Sequence, residues 1–291
     1  MITRLALQLF KRPFMTRSLL LTPLAALFLV TGNPQPASNA EEAPTKMKNT
    51  FDQWHDFPTG RIVEFSGHAW RVKGSGPEVR YGPGGFPFGP SEQSVWVDQR
   101  GRLHLKALQI DGAWHSAEVR ITEFLGHGDY RFTTAGRVDD LDPNLTFGLF
   151  LWEYVADHDQ RFHNENSASE FDIEFGRWKD PARFPLQFVC QPYHREGNLW
   201  SYDLKLDAPD AVCTHAFRWL PDRVECRGWL GGPEAEHDPH AQRANWTYRG
   251  PDNGTGKPQV HLNLWCNEEP PARGEPVEVI VERFEFIPAE N

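Results

Sequence analysis

Three acidic residues alternate with three apolar residues in the middle of the chain. Glu170, Asp172 and Glu174 are each followed by an aromatic or aliphatic residue in the segment EFDIEF. In a β-strand this alternation places the three carboxyl groups on one face and the apolar side chains in the core. Like charges at this spacing raise the pKa of at least one carboxyl group, so one of the three keeps its proton near neutral pH.

An ionised carboxylate beside a protonated carboxyl group is what hydrolysis of a glycosidic bond requires. In an extended strand the Cα atoms of Glu170 and Glu174 are about 13 Å apart. Strand curvature and inward-leaning side chains bring the two carboxyl groups toward the roughly 5–5.5 Å separation of a retaining mechanism, with Asp172 between them. The alternative is a structural strand with an acidic, solvated outer face.

The elements that position these residues are predicted to be short strands. Apolar alternation or β-branched and aromatic runs recur after Lys48, with turn residues between them, and no helical period persists. This spacing predicts one all-β domain, a large antiparallel sandwich or barrel. The predicted strands are 61–65, 94–98, 102–108, 117–122, 130–138, 146–154, 170–175, 186–190, 200–206, 215–219, 223–229, 259–265 and 277–287. Three long loops are predicted at 80–91, 156–168 and 231–256.

The carboxylate segment and its flanks resemble glycoside hydrolase family 16. Residues 170–174 (EFDIE) match the E-x-D-x-E signature of that family in its five-residue, lichenase-type form. Further similar segments follow in the order of the family, at 101–105, 117–120, 127–131, 147–152, 215–219 and 262–265. The resemblance implies a concanavalin-like β-jelly-roll sandwich of two antiparallel sheets. It also implies that Glu170 is the nucleophile, Asp172 the assisting acid and Glu174 the general acid/base.

Two departures from the family pattern leave the substrate open. Residues 175–178 (FGRW) stand where a hydrophobic residue, Leu and Gly usually follow the motif, and Glu153 stands where an apolar residue is expected.

Aromatic residues are candidates for stacking on sugar rings. The chain has 11 Trp, a surplus that often lines a carbohydrate groove but also suits a Trp-rich core. By their positions in the motifs, we predict that Trp152, Trp178, Asn263 and Trp265 bind substrate. For each of these residues a place in the core is the alternative, whereas Trp219 and Trp229 are predicted to lie in the core or to face a sheet.

Composition limits the classes of partner. The formal net charge is −10, and the first forty residues hold four basic residues and no acid, so the rest of the chain is more acidic still. Such a surface repels nucleic-acid phosphates and anionic lipids. We therefore expect a polysaccharide as the partner, no nucleic-acid or membrane partner after export, and a monomer. No cofactor is predicted, and no metal site is indicated, although a structural calcium is compatible with the family.

The amino-terminal residues have the pattern of an export signal. Residues Leu19–Val30 form a short apolar run after basic residues, and the small residues that end at Ala40 suit cleavage there. We predict a signal peptide at 1–40, with Met15 a possible true start, and a family-16-like sandwich domain at 41–291. The mature protein is expected to be periplasmic or secreted. Since that environment is oxidising, the four cysteines are expected to form one or two disulfides.

These observations predict an exported retaining endo-glycosidase that acts on a β-linked polysaccharide of the glucan or galactan class. Two alternatives remain open from the sequence. One is a carbohydrate-binding sandwich without catalytic activity, and the other is a structural envelope protein. Transfer of the glycosyl group to another sugar, instead of to water, is also open.

Overall fold

The computed structural model of the protein describes residue 57 and residues 60–74, 82–153, 170–251, 254 and 256–290. The predicted signal peptide and the predicted loop 156–168 lie outside the described residues. No helix in the described part of the chain is long and apolar enough to cross a membrane.

The described residues form sixteen β-strands, because period-two apolar patterns are separated by turns of Gly, Pro, Asp and Asn. In chain order the strands are β1 (Ile62–Phe65), β2 (His68–Val72), β3 (Val95–Val97), β4 (Leu103–Ile110), β5 (Ala113–His115), β6 (Ala117–Ile121), β7 (Gly128–Ala135), β8 (Leu145–Trp152), β9 (Phe171–Gly176), β10 (Leu186–Cys190), β11 (Leu199–Tyr202), β12 (Val212–Leu220), β13 (Arg223–Leu230), β14 (Gln242–Tyr248), β15 (Gln259–Cys266) and β16 (Val277–Pro288).

The strands build two eight-stranded antiparallel sheets. The first has the order β1-β2-β6-β15-β8-β9-β10-β11. The second has the order β14-β13-β12-β7-β16-β4-β3, with β5 paired to β4. Neighbours in each sheet are often distant in sequence, as in a jelly roll, so the predicted fold class is confirmed.

The core lies between the sheets and takes the apolar half of the carboxylate strand. Phe171, Ile173 and Phe175 of β9 are at most 1% exposed. Phe171 packs against Trp219 of the second sheet, with ring centroids 5.8 Å apart. Trp219 and Trp229 are both buried, Trp219 in this core and Trp229 in a separate cluster with Ala216 and Ala241. Burying three large side chains on one face fixes the direction of the acidic residues on the other.

Strands β2 and β5 lie where no strand was predicted, and two further sequence-based assignments need correction. The predicted loop 231–256 contains strand β14, whose pattern is mostly polar because β14 is the edge strand of its sheet. The predicted strand 200–206 ends at Tyr202, although Leu204 and Leu206 beyond it are buried. In both places strand pairing, rather than local hydrophobicity, decides where a strand begins and ends.

The expected disulfides are wrong: all four cysteines are buried free thiols. Cys213 and Cys226 lie on paired strands, but Cys226 pairs with Phe217, four positions from Cys213. Four positions correspond to about 13 Å between Cα atoms, well beyond the roughly 7 Å limit for a disulfide. Cys190 and Cys266 lie on strands separated by β8 and β9. Strand register therefore keeps these thiols apart.

Candidate active site

Asp172 and Glu174 lie on the face of β9 that points away from the core, and Glu170 directly precedes β9 and is hydrogen bonded to Asp172. Asp172 pairs with Phe150 of β8, and Glu174 pairs with Gly148 of β8 and with Gln187 of β10. Directly paired residues share a face, so these positions surround the acids on one surface of the sheet. Gly148 leaves the space beside Glu174 free of a side chain.

Asp172 is the most enclosed of the three acids, at 5% exposure, whereas Glu170 and Glu174 are partly exposed. Burial, and then the charge of Glu174, raise the pKa of Asp172 well above its usual value. Gln191 Nε2 donates a hydrogen bond to Asp172 Oδ2 at 3.1 Å. Asp172 is also hydrogen bonded to Glu170. A hydrogen bond between two carboxyl groups needs a proton, and the raised pKa of Asp172 favours Asp172 as the group that carries it.

Glu174 is suited to hold a second proton. Burial raises the pKa of Glu174 to about 7, against the lowering effects of a hydrogen bond from Gln187 and the charge of Arg183. The Gln187 side-chain amide donates that bond to the Glu174 carboxyl group. A group with this pKa is protonated in part of the molecules at neutral pH and can give and take a proton there. Neither Gln187 nor Gln191 was identified from the sequence, because only strand pairing and the turn after β10 place them beside the acids.

The four predicted substrate-binding residues lie on the same face as the carboxyl groups or at its end. Asn263 of β15 pairs with Gly148, and Trp265 pairs with Thr146. Trp152 ends β8 on this face. Their exposures are low, at 6% for Trp152, 7% for Trp265 and 3% for Asn263.

Trp178, which follows β9, is partly exposed and lies edge-on to Trp265, with ring centroids 5.6 Å apart. The structure therefore brings all four residues to the carboxylate face, and it leaves Trp178 the most accessible of them.

Buried polar atoms around Glu174 are left without a hydrogen-bond partner among the described residues. They are Asn263 Oδ1, Thr146 Oγ1 and Trp178 Nε1. A Cβ atom on Gly148 would lie 2.7 Å from Asn263 Oδ1, so glycine is needed to keep that oxygen in place. An unpaired buried polar atom costs about 1–3 kcal/mol, and a hydroxyl group of a ligand would remove that cost. Sequence reasoning did not identify Thr146 or Gly148, because their roles depend on the register of β8 and β15.

A second polar cluster lies on the same face of the first sheet, over β2, β6 and β15. Lys73 Nζ donates to Glu118 Oε2 at 2.8 Å, and His261 Nδ1 is hydrogen bonded to Glu118 Oε1 at 2.9 Å. Burial lowers the pKa of Lys73, while the Lys73 charge and the His261 hydrogen bond outweigh burial and lower the pKa of Glu118. The cluster is an ion pair with a buried histidine, and its residues are too far apart in sequence to be recognised as a group.

Among the described residues, no group of three or more His, Cys, Asp or Glu side chains is arranged to hold a metal ion. The chemistry that this face can perform with its own groups is proton transfer at Glu174 and nucleophilic attack by a carboxylate of the Glu170–Asp172 pair.

No protein-family profile matches the sequence, and no curated protein matches it. Solved structures do match the fold. A prokaryotic β-1,3-1,4-glucanase (lichenase) from a mouse hindgut metagenome superposes with a TM-score of 0.51 at 16% identity, covering 82% of this chain and 97% of that one. A β-1,3-glucanase from Mycobacterium marinum gives a TM-score of 0.52 at 17% identity, covering 84% of this chain and 100% of that one.

A third similar structure is described as an immunostimulatory antigen and pseudo β-1,3-glucanase of Mycobacterium tuberculosis. Its TM-score is 0.52 at 15% identity, covering 76% of this chain and 91% of that one. At such identities the likeness shows a shared fold. Because a pseudo-glucanase has this fold too, activity has to be argued from the site itself.

Proposed function

We propose that this protein is a retaining glycosidase that hydrolyses a β-linked polysaccharide and belongs to glycoside hydrolase family 16. The observation that carries the proposal is the set of three carboxyl groups on one face of β9, with burial raising the pKa of Glu174 to about 7. The E-x-D-x-E segment and the glucanase-like fold support the same family. Glucans are the first substrates to test, because two of the similar structures are described as β-glucanases. Galactans are the second.

In the proposed reaction the carboxylate of Glu170 attacks the anomeric carbon of the sugar. Glu174 gives its proton to the departing glycosidic oxygen, so that the bond breaks and a glycosyl-enzyme ester forms. Attack requires Glu170 to be the ionised member of its pair, and the shared proton then resides on Asp172. Glu174 next takes a proton from water, which attacks the ester and frees Glu170.

The glycan would be held by the groups around these acids. Trp178, Trp265 and Trp152 offer ring faces and edges to the apolar faces of sugars. Asn263 offers an amide oxygen that a sugar hydroxyl can satisfy. Thr146 is a further candidate for such a contact.

The test uses the full-length protein and the variants Glu170→Ala and Glu174→Ala on β-1,3-glucan, mixed-linkage β-glucan and galactan. We expect the protein to release reducing ends and each variant to lose at least a thousandfold in rate, on the order expected when a nucleophile or general acid is removed. Glu64→Ala, at an exposed residue of β1, is the matched control and should retain full activity. Full activity of either site variant would overturn the proposal.

Azide distinguishes the two roles and tests retention. In a retaining enzyme that acts on β-linkages, azide should rescue Glu170→Ala to give an α-glycosyl azide, and Glu174→Ala to give a β-glycosyl azide. The same anomer from both variants would contradict the assigned roles.

A carbohydrate-binding protein without activity is the second candidate function. One observation favours it: the fold is shared with a protein described as a pseudo β-1,3-glucanase. Binding of a β-glucan by the wild-type protein, with no new reducing ends over a prolonged incubation, would establish it.

We also propose that the protein is exported and works as a periplasmic or secreted monomer. This part rests on the apolar run and small residues of segment 1–40. Intact-mass analysis of the protein recovered outside the cytoplasm should show a chain that begins at residue 41. Light scattering should give the mass of one chain.

A further inference from the structure

The turn that follows the carboxylate strand holds two large residues in an unfavourable backbone conformation. Trp178 and Lys179 have φ values of +52° and +63°, in the left-handed region that glycine adopts and that other residues avoid. Asp180 N donates a hydrogen bond to the Arg177 oxygen at 2.9 Å, so Trp178 and Lys179 are the two central residues of a β-turn. Turns with positive φ at both central positions usually carry Asn-Gly or a similar pair. The backbone of this turn is therefore strained.

The Trp178 side chain adds a second unfavourable feature. Trp178 is partly exposed, and its Nε1 atom, although covered, has no hydrogen-bond partner among the described residues. A covered N–H without an acceptor is destabilising. Residues whose strain the surrounding structure maintains are concentrated at functional sites. We therefore looked for a function in the position of the Trp178 ring.

The turn places the Trp178 ring beside the acid Glu174. Gly176 is the next residue after Glu174 on that face of β9, and it pairs with Thr146 of β8. Thr146 pairs in turn with Trp265 of β15, whose ring lies edge-on to that of Trp178 with centroids 5.6 Å apart. The Trp178 ring therefore stands at the Glu174 end of β9, next to any glycan that contacts Glu174.

Arg177 holds the turn in shape. Its guanidinium group donates hydrogen bonds to the carbonyl oxygens of Pro181 at 3.2 Å, of Asp139 at 3.3 Å and of Arg183. The bonds to Pro181 and Arg183 close the loop between β9 and β10. The bond to Asp139 joins that loop to a segment that precedes β8. The planar guanidinium group, with five donors in a fixed geometry, is suited to bond several carbonyl groups at once.

Lys179 attaches the same turn to two neighbouring segments. Its backbone N–H donates to the carbonyl oxygen of Pro143 at 2.8 Å. Its Nζ donates to Glu268 Oε2 at 2.9 Å, and Glu268 itself has a φ of +63°. Together with the bonds of Arg177, these contacts keep the turn in its left-handed conformation despite the strain.

We propose that this strained turn forms a sugar-binding surface before the glycan arrives, with Trp178 as the residue that contacts a sugar and with Arg177 and Lys179 as positioning residues. The inference rests on the proposed function, because it needs a glycan at Glu174. A ring that is already fixed loses little freedom when a sugar packs on it, so binding is stronger than it would be to a mobile ring. The turn therefore lowers the stability of the free protein and raises its affinity for the glycan.

The first test separates stability from binding. Lys179→Gly and Lys179→Ala both lose the contact with Glu268, and they differ in the strain at residue 179, because only glycine adopts a positive φ freely. The Gly variant should unfold at a higher urea concentration than the Ala variant. It should also bind glucan oligomers about three- to tenfold more weakly, since its turn is free to move. Calorimetry in the Glu174→Gln background measures binding without hydrolysis.

A matched control pair exists on the second sheet. Asp111, in the turn between β4 and β5, also has a positive φ, of +50°. Asp111→Gly and Asp111→Ala should differ in stability in the same direction as the two Lys179 variants, and they should bind glucan oligomers equally well.

The second test asks whether Arg177 acts through Trp178. Trp178→Ala should weaken binding about tenfold, Trp178→Phe should recover most of that loss because it keeps a ring, and Arg177→Met should weaken binding as its turn loosens. If Arg177 acts by placing the ring, the double variant Arg177→Met, Trp178→Ala binds no more weakly than Trp178→Ala alone. Arg243→Met is the matched control, because Arg243 also donates to three carbonyl oxygens, at the edge of the second sheet. It should bind like the wild-type protein.

The outcomes separate this inference from the proposed function. Equal affinities of Lys179→Gly and Lys179→Ala, or additive losses in Arg177→Met and Trp178→Ala, overturn the positioning role of the turn and leave the glycosidase intact. Absence of hydrolysis by the wild-type protein overturns the glycosidase, and the binding measurements then still decide the role of the turn. If no glucan oligomer binds, both proposals fall.

Discussion

At the scale of single residues, the location of protons decides what the site can do. Glu174 is held near a pKa of 7 because burial disfavours its charge more than Gln187 and Arg183 favour it. Burial and the charge of Glu174 also raise the pKa of Asp172, which is hydrogen bonded to Glu170. A glycosidase needs one acid and one carboxylate at the same pH, and different surroundings on one strand supply both.

The pH dependence of the rate should report Glu174. Since Glu174 must be protonated to act as the acid, kcat/KM should fall tenfold per pH unit above about 7. Gln187→Leu removes a hydrogen bond that lowers this pKa, so the fall should move up by about one pH unit. Gln109→Leu, at an exposed residue of the second sheet, is the control, and its kcat/KM should fall at the same pH as that of the wild-type protein. If kcat/KM of Gln187→Leu falls at the same pH as that of the wild-type protein, this hydrogen bond does not lower the pKa of Glu174.

Stability should depend on pH through the same residue. The pKa of Glu174 is higher in the folded protein than the ordinary glutamate value of 4.5. Below pH 4.5 both states are protonated, and as pH rises from 4.5 to about 7 the unfolded state ionises first, so the free energy of unfolding falls.

Glu174→Gln cannot ionise. It should be more stable than the wild-type protein at pH 8 by on the order of 2 kcal/mol, a figure reduced for the partial exposure of the residue, and equal to it at pH 4. Urea titrations at the two pH values measure this, with Glu64→Gln as the control. An equal difference at both pH values would point to packing instead of charge.

At the scale of elements, three neighbouring strands make the site. β9 and the residue before it supply the acids, β8 supplies the space at Gly148 that has no side chain, and β15 supplies Asn263 beside that space. Beside these strands, the Lys73 side chain after β2 is hydrogen bonded to Glu118 of β6 and to the carbonyl oxygen of Gly82. Each strand contributes a different part of the site, so substitutions on different strands should affect activity, binding and stability differently.

Gly148→Ala tests the importance of the space beside Glu174 that has no side chain. The new Cβ atom would lie 2.7 Å from Asn263 Oδ1 and would displace that side chain. We expect a loss of about 1–3 kcal/mol in stability from overpacking. We also expect weaker binding of glucan oligomers, measured by calorimetry, with the pH profile of the rate unchanged. Ala135→Gly, at the end of β7, is the control for a Gly/Ala exchange in a strand. Unchanged affinity in Gly148→Ala would show that Asn263 does not contact the glycan.

The buried ion pair gives a second prediction for the elements. Lys73→Met leaves Glu118 charged and buried, so it should cost about 3–5 kcal/mol. Lys73→Met combined with Glu118→Leu removes both charges and should recover a large part of that loss, because the effects of paired residues are not additive. Urea unfolding of the two single variants and the double variant forms the cycle. Additive losses would mean that the two charges do not interact.

At the scale of the whole molecule, two eight-stranded sheets and the core between them hold the protein together. All four cysteines lie buried within this sandwich as free thiols. Burial raises the pKa of Cys213 and of Cys266 to about 12, which keeps both thiols protonated and unreactive.

The thiol count tests this description directly. The native protein should react slowly or not at all with a thiol reagent, and the protein unfolded in urea without a reductant should show four thiols per chain. The unfolding midpoint should be the same with and without a reductant, because no disulfide constrains the unfolded state. Two thiols, or none, in the unfolded protein would establish one or two disulfides. The protein reduced before unfolding is the control for complete reaction.

Several features were predictable from the sequence because they depend on neighbouring residues alone. The alternation in EFDIEF places Phe171, Ile173 and Phe175 in the core and the acids opposite them, since successive side chains of a strand point to opposite faces. The spacing of apolar runs and turns likewise predicted an all-β sandwich or barrel. The polar strand β14 was predicted as a loop, and this was wrong because pairing with β13, rather than the local hydrophobic pattern, makes β14 a strand.

Only the tertiary structure decided which distant residues meet. The register between β8 and β15 brings Asn263 to Gly148, 115 positions away in the sequence, and the pairing around β6 joins Lys73 to Glu118. Burial then sets the pKa of Glu174, and the separation of the strands keeps the cysteines free. Register and burial are properties of the assembled sheets, because each depends on contacts between segments that no local pattern specifies.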